Sequence, residues 1–496
     1  MHTYQDYLDL MHRIADLRYA SAVLQWDQET YLPEKGADRR GQQIATLSEM
    51  SHELFTQPKN LDLLTGLENR RDLSDKERRN VQLTLQDYQD QTKFSPAFVR
   101  TLSEAVQKSF HSWMKARQEN NFKFFEADLQ DLIQLKKEEA AMAGFKEHPY
   151  DALLDQHDKG SCVSLLDPIF QQLESPLKSL LDAIAAQPQV NNDFLFQHFP
   201  DQDQWALGIQ IIEELGYDLK AGRQDRSEHP FTTNFNNKDV RVTTRVDEHD
   251  LSNMLWSCIH EAGHALYEQG LPDDQYGLPL GEPVSYSIHE SQSRLWENHV
   301  GRSRAFCNHY FPLMLQKFPE ALKNIDALDF YKAINKVTPS LIRTEADEIT
   351  YHFHVMIRYE IEKELIGGKL QARHIPEAWN HFYKKYLGVD VPDDKRGCLQ
   401  DVHWSHGSFG YFPTYSMGSF YAAQFFNQAK RSIPDLDNQI QHGQFAPLLQ
   451  WLRTAVHQHG RYYNSEELCK KITGEGLNIQ YFMDQMQEKY KAIYNF

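Results

Sequence analysis

Apolar side chains recur at helical spacing along most of this chain. Residues 3–23 place Tyr4, Tyr7, Leu8, Leu10, Met11, Ile14, Leu17 and Ala20 on one stripe, the i, i+3/i+4, i+7 pattern of an amphipathic helix. Segments 75–95, 97–119 and 122–143 repeat that pattern. They are rich in Gln, Glu, Lys and Leu, which favour helix. Proline and glycine punctuate these runs rather than interrupt them. One segment breaks the period. Residues 229–247 read as two Thr/Val/Phe-rich runs around Asn236-Asn237, which predicts a small hairpin. Such a sheet in a helical protein either shapes a site or only caps the helices. With no repeat and no low-complexity linker, the expectation is one mostly α domain over 1–496. It would comprise a helical part of about 1–225, a small sheet of about 229–247 and a second helical part of about 250–496.

Three helical or irregular stretches carry candidate chemistry. The first is a helix over about 250–270, with Asp250 or Ser252 as cap and Gly270 and Pro272 as stop. It contains His260-Glu261-Ala262-Gly263-His264. Positions i and i+4 share a helix face, so His260 and His264 can bind one metal. Glu261 stands beside them to take a proton from a water the metal acidifies. Ala262 and Gly263 are small and leave room for a ligand to approach. The bland alternative is two histidines satisfied by neighbours. A catalytic zinc needs a third protein ligand and an open position. The next helix, from Ser285–Ser287 to Gly301, offers Glu290, His289 and Glu297.

The second stretch is a helix predicted over 338–366, with Thr338 as cap, Pro339 in the first turn and Gly367-Gly368 at the end. Arg343 and Asp347 are four apart on it. They form either an intrahelical ion pair or a guanidinium clamp for a substrate carboxylate, oriented by Asp347. Glu348 and His352 mimic a metal pair but lack a third ligand. The third stretch, 397–421, is rich in glycine and aromatics. Asp401, His403 and His406 form a rival metal cluster there. Tyr411 and Tyr415 are candidate donors to an oxyanion, and the whole segment also suits a buried aromatic loop.

Composition narrows the choice. With 52 basic against 70 acidic residues the net charge is −18, which argues against nucleic-acid and anionic-membrane partners. The 23 histidines supply metal and acid/base chemistry. The five cysteines, Cys162, Cys258, Cys307, Cys398 and Cys469, form no C-x-x-C pair, so neither a disulfide framework nor a cysteine zinc site is expected. The first residues lack a basic start followed by an apolar run, and no stretch approaches a membrane span. These features together predict a soluble cytoplasmic protein.

Six short signatures in this order resemble the carboxypeptidase Taq family of zinc metallocarboxypeptidases. They are His229-Pro230-Phe231; Asp239-Val240-Arg241-Val242-Thr243, as D-x-R-x-T; His260 to His264, as H-E-x-x-H; His289-Glu290-Ser291-Gln292; Ile342 to Asp347, as I/V-R-x-x-A-D; and Gly397 to Trp404, as G-x-x-Q-D-x-H-W. Residues 26–30 and 451–460 extend the likeness to nearly the whole chain. The resemblance implies a neurolysin- and angiotensin-converting-enzyme-like helical fold with a deep groove and a small sheet. It implies His260, His264 and Glu290 as metal ligands, demoting His289, and Glu261 as general base. It implies one zinc ion, replaceable by cobalt, a homodimer, and removal of C-terminal residues from peptides with broad specificity.

In that picture the groove is closed at one end by the Arg241, Arg343 and Gln400 signatures. Arg343 is the first candidate to read the terminal carboxylate and Arg241 the second. His229, Asp347, Gln400, Asp401 and His403 are further candidates for binding the substrate. Similarity to the neurolysin group suggests Tyr411 or Tyr415, with His406, for the oxyanion. The rivals are an oligoendopeptidase with the same zinc site and a metal-stabilised helical protein without turnover.

Overall fold

The computed structural model describes residues 2–496. The helices predicted over the first 143 residues form, and their ends follow from local chemistry. The first spans Tyr4–Thr30, where Thr3 and Asp6 make a reciprocal capping box. Others span Asp75–Thr92, Pro96–Gln118 and Lys123–Ala143. Pro96 occupies the first turn behind a Ser95 cap, where its missing N–H costs nothing.

The hairpin also forms, as β2 (Thr232–Asn236) and β3 (Asp239–Thr244), antiparallel, with Thr233 opposite Arg241. A third strand, β1 (Gly222–Arg226), pairs in parallel with β3, giving the order β1-β3-β2. The sheet therefore begins before residue 229. The sequence of β1, Gly-Arg-Gln-Asp-Arg, carries no apolar alternation to announce it. Gly222 permits its approach: a Cβ there would lie 2.1 Å from the Val240 carbonyl.

The helix predicted over 338–366 is a correction. It starts only at Thr350 and runs to Ile366. Residues 335–349 are irregular apart from a 3-10 turn at Arg343–Glu345. Thr338 and Pro339 do not open a helix. Asp347 does, accepting from the N–H groups of Ile349 and Thr350, both at 2.9 Å, and from the Thr350 hydroxyl at 2.8 Å. Those bonds satisfy the unpaired donors of a helix start.

The chain forms two compact units, each built from three segments. One comprises Met1–Thr92, Asn191–Ile334 and Tyr421–Leu477, and the other Lys93–Val190, Asn335–Phe420 and Asn478–Phe496. The first contains the sheet and the H-E-x-x-H helix. The second contains the Arg343 and Gln400 signatures. Among the described residues no helix is long and apolar enough to cross a membrane.

Candidate metal centre and active site

The H-E-x-x-H helix spans Leu251–Glu268, and the Asp250 side chain accepts from the Ser252 N–H. The next helix spans Tyr286–Arg294, capped by Ser285. It continues as a π-helical turn over Leu295–Gly301. Such wide turns often mark functional sites, and this one carries Glu297.

Gly263 decides how close the two helices come. A Cβ on it would sit 2.6 Å from Ser293 Cα and 2.9 Å from the Gln292 carbonyl. The glycine therefore serves helix packing, not ligand approach as expected from its size alone. The close crossing brings Glu290 to His260 and His264. Glu290 Oε2 lies 3.7 Å from His260 Nε2 and 3.5 Å from His264 Nε2.

These atoms fit a metal. Tetrahedral bonds of about 2.0–2.1 Å to nitrogen and oxygen place neighbouring ligand atoms about 3.3 Å apart. The three donor atoms lie within 4.8 Å of one another, the one such cluster among the described residues. The charge fits too. Four carboxylates are buried there, Glu261, Glu268, Glu290 and Glu297; Arg294 pairs with Glu290 and Glu297, and Arg302 with Glu297. Carboxylates therefore outnumber guanidinium groups at the site, which suits a cation.

His289 and Glu297, the competing ligands of the sequence reading, lie against the Nδ1 sides of His264 and His260. His260 Nδ1 lies 2.9 Å from Glu297 Oε2, and Arg302 holds the other Glu297 oxygen at 3.1 Å. Burial opposes ionisation of Glu297, but Arg294, His260 and Arg302 outweigh it and keep its carboxyl well below the usual range. His289 lies behind His264, with the two Nδ1 atoms 2.6 Å apart. Burial, reinforced by the nearby imidazoles and Arg294, pushes His264 down, towards the neutral ligand form. Arg294 Nε fixes Glu290 through Oε1 at 2.7 Å, leaving Oε2 for the histidine side.

Glu261 is buried, and that burial raises its carboxyl above the ordinary value. Its Oε2 accepts from the Thr232 hydroxyl at 2.6 Å. Sequence reasoning missed Thr232 and Glu268. Spacing gave one signal: Thr232 and Asn234 share a strand face, and Glu261 and Glu268, seven apart, share a helix face. Gln292, in the fourth signature, bonds His457 at 3.1 Å, which ties in the 451–460 segment.

The second unit holds a different cluster. Arg343 lies in the 3-10 turn and is buried. Its Nε and Nη2 donate to Asp401 Oδ1 at 3.0 and 2.9 Å. The other Asp401 oxygen accepts from Nε of Arg358 at 2.7 Å. Arg358 is fully buried and stacks on Trp379. Gln400 Oε1 accepts from the Arg343 N–H at 3.0 Å and from Arg358 Nη2 at 2.8 Å. Arg343 and Asp347 therefore form no intrahelical pair. Asp401, not Asp347, orients the guanidinium. Burial opposes ionisation of Asp401, yet Arg358 and Arg343 hold its carboxyl well below the usual range. Burial pushes His403 down to about 3 against the pull of Asp401.

Asp401, His403 and His406 assemble no metal site. The Asp401 carboxylate is committed to two arginines, and the His406 ring packs on Phe110 with centroids 4.9 Å apart. Tyr415 lies in the helix Phe412–Ser432, and its hydroxyl is 3.2 Å from His403 Nε2. The Tyr411 and Tyr415 rings pack at 5.2 Å. Glu362 pins this segment by accepting from Trp404 Nε1 at 2.7 Å, the Gly410 N–H at 2.8 Å and the Tyr150 hydroxyl. Burial raises its carboxyl to about 7. Gly410, at φ +89°, is required there: a Cβ would lie 2.6 Å from the Leu153 carbonyl.

Glu348 pairs with Lys489 at 2.7 Å and His352 with Ser416 at 2.9 Å, so neither holds a metal. Arg241 lies on β3. It pairs with Asp239 through two bonds of 2.8 and 2.9 Å and is stacked between Trp26 and Phe235. Thr243 of the same signature ties β3 to the Phe231 N–H at 2.9 Å. His229 is exposed, and its carbonyl accepts from Ser227.

The family model described as Carboxypeptidase Taq (M32) metallopeptidase matches residues 6–490. The chain is 37% identical to Carboxypeptidase 1 of Bacillus subtilis (strain 168), covering 100% of this chain and 99% of that protein. It is 37% identical to Thermostable carboxypeptidase 1 of Thermus thermophilus, covering 99% of each. The crystal structure of an M32 carboxypeptidase from Deinococcus radiodurans R1 superposes with a TM-score of 0.98 at 38% identity, covering 99% of each chain.

Proposed function

The chain belongs to the carboxypeptidase Taq (M32) metallopeptidase family, whose members are metal-dependent carboxypeptidases, and we propose that its metal is one zinc ion held by His260, His264 and Glu290. The observation that carries this is the convergence of those three donor atoms within 4.8 Å. Cobalt is the expected substitute. When bound there, the ion polarises the scissile carbonyl and acidifies the attacking water.

The chain's own residues do the rest. Glu261 takes the water proton and delivers it to the leaving amine. Thr232 aims its carboxylate. Arg343 reads the free C-terminal carboxylate of the peptide. Its two arginine charges share one aspartate, so a positive charge remains for an anion. Asp401, Gln400 and Arg358 hold that guanidinium in place. Arg241, already bonded to Asp239, is the second choice. Tyr415 or Tyr411 donates to the developing oxyanion. His229, His403, His406 and Asp347 support these segments. The five cysteines are free, which suits a reducing cytoplasm. A homodimer completes the proposal.

The test is mass spectrometry of an unmodified peptide and its C-terminal amide, each with and without chelator. The expected result is stepwise loss of terminal residues from the free acid alone, abolished by chelation. Equal cleavage of the amide would remove the role given to Arg343. Release of di- or tripeptides would point to internal cutting instead.

A further inference from the structure

The two ligand histidines are backed differently. His260 Nδ1 meets a carboxylate directly, Glu297 at 2.9 Å. His264 meets an imidazole. Its Nδ1 is 2.6 Å from His289 Nδ1, and His289 Nε2 is 2.8 Å from Glu268 Oε1. The remaining Glu268 oxygen accepts from the Asn234 amide. Glu268 is buried, and the His264 and His289 side chains are 16% and 21% exposed.

Donor and acceptor roles along this chain leave one arrangement for a metal-binding His264. Its Nε2 must present a lone pair, so its hydrogen sits on Nδ1. His289 Nδ1 must then accept, which places the His289 hydrogen on Nε2. A carboxylate only accepts, so Glu268 takes that hydrogen at one oxygen and the Asn234 hydrogen at the other. Reversing the order would put the His264 hydrogen on Nε2, the face that points at Glu290. Strand β2 anchors the far end. Thr232 holds Glu261 and Asn234 holds Glu268, one helix surface gripped at two points.

We propose that Glu268 is a positioning residue of the metal centre, acting through His289 to hold His264 in its metal-binding tautomer and orientation. This rests on the reading of His264 as a ligand. Carboxylates beyond a ligand histidine usually change metal affinity by about 10–100-fold. Here that influence passes through an extra ring, which makes it separable.

The experiment titrates the zinc-loaded protein with a chromophoric chelator and reads zinc affinity. Glu268→Gln and His289→Phe are each expected to weaken zinc by about 10–100-fold. The double variant should bind no more weakly than His289→Phe alone, because Glu268 acts only through His289. His289→Gln is the rescue. Its carbonyl accepts from His264 and its amide donates to Glu268, so affinity should stay within a few-fold of wild type. It also serves if His289→Phe does not fold. Wild-type affinity in Glu268→Gln, losses that multiply in the double variant, or no rescue by glutamine would each overturn the relay. His264→Ala separates the two readings. Loss of stoichiometric zinc there, beside unaffected Glu268→Gln, sinks only the relay. Zinc retained at wild-type affinity in His264→Ala sinks the ligand assignment itself.

Discussion

The clusters around His260 and Arg343 bury charge with opposite signs. Around His260, four carboxylates outnumber two arginines and three histidines lie among them. Around Arg343, two arginines share one aspartate. The first is short of positive charge and suits a cation. The second is short of negative charge and suits a carboxylate. Buried charge left partly unmatched is costly for folding, so each imbalance reads as a place kept for a ligand. They also differ in construction. The first is set on two helices, one of which continues into a π-helical turn. The second gathers side chains from a 3-10 turn, a loop and one helix.

The comparison breaks most completely if the cation site is removed. His264→Ala or Glu290→Gln is expected to lose bound metal and essentially all peptidase activity, read by elemental analysis and product release. Glu261→Gln comes next: metal content unchanged, turnover down by about 10³–10⁴-fold, the upper range for a general base. A variant that keeps turnover would remove Glu261 from the chemistry. Arg343→Ala probes the other sign. Its kcat/KM on free-acid peptides should fall by about 100-fold or more with metal retained, and Arg343→Lys should not restore it, since a point charge cannot keep the Asp401 geometry.

The smallest effect sharpens the contrast inside the second unit. Asp401 lies between cations and is held low. Glu362 accepts three uncharged donors and is raised to about 7. A carboxyl raised on folding adds stability that is fully present below its unfolded value near 4.5 and lost as pH rises through about 7. The contribution is on the order of 1–3 kcal/mol. Urea unfolding of Glu362→Gln should show a flatter dependence between those pH values than wild type. Parallel curves would mean that Glu362 does not titrate there.

The difference in construction explains what was legible. A period of four places His260 and His264 on one face, and caps at Asp250 and Ser285 mark both helices. The proposed ligand set then follows from the family resemblance of the signatures. The Arg343 cluster has no such period. Thr338-Pro339 mimics a helix start, so Arg343 and Asp347 read as a helical pair. The actual partners, Asp401 and Arg358, come from 58 and 15 residues further along the chain. Strand β1 was hidden for a similar reason: it is polar, and its pairing is set by Gly222 and Val240, not by its own alternation. The partners of the ligand histidines were invisible because a hydrogen bond between helix and strand leaves no periodic mark.

The crossing at Gly263 has a consequence for how the metal arrives. Backbone packing of Gly263 against Ser293 sets the spacing of the two helices. The three donor atoms lie together on that packed scaffold, so loading is expected to require no prior unfolding or assembly. The ion then acts as a ligand of an already folded chain. It should raise thermal stability in proportion to the logarithm of its free concentration over its dissociation constant. Repeated stripping and reloading should return the same protein, with the cation exchangeable in place.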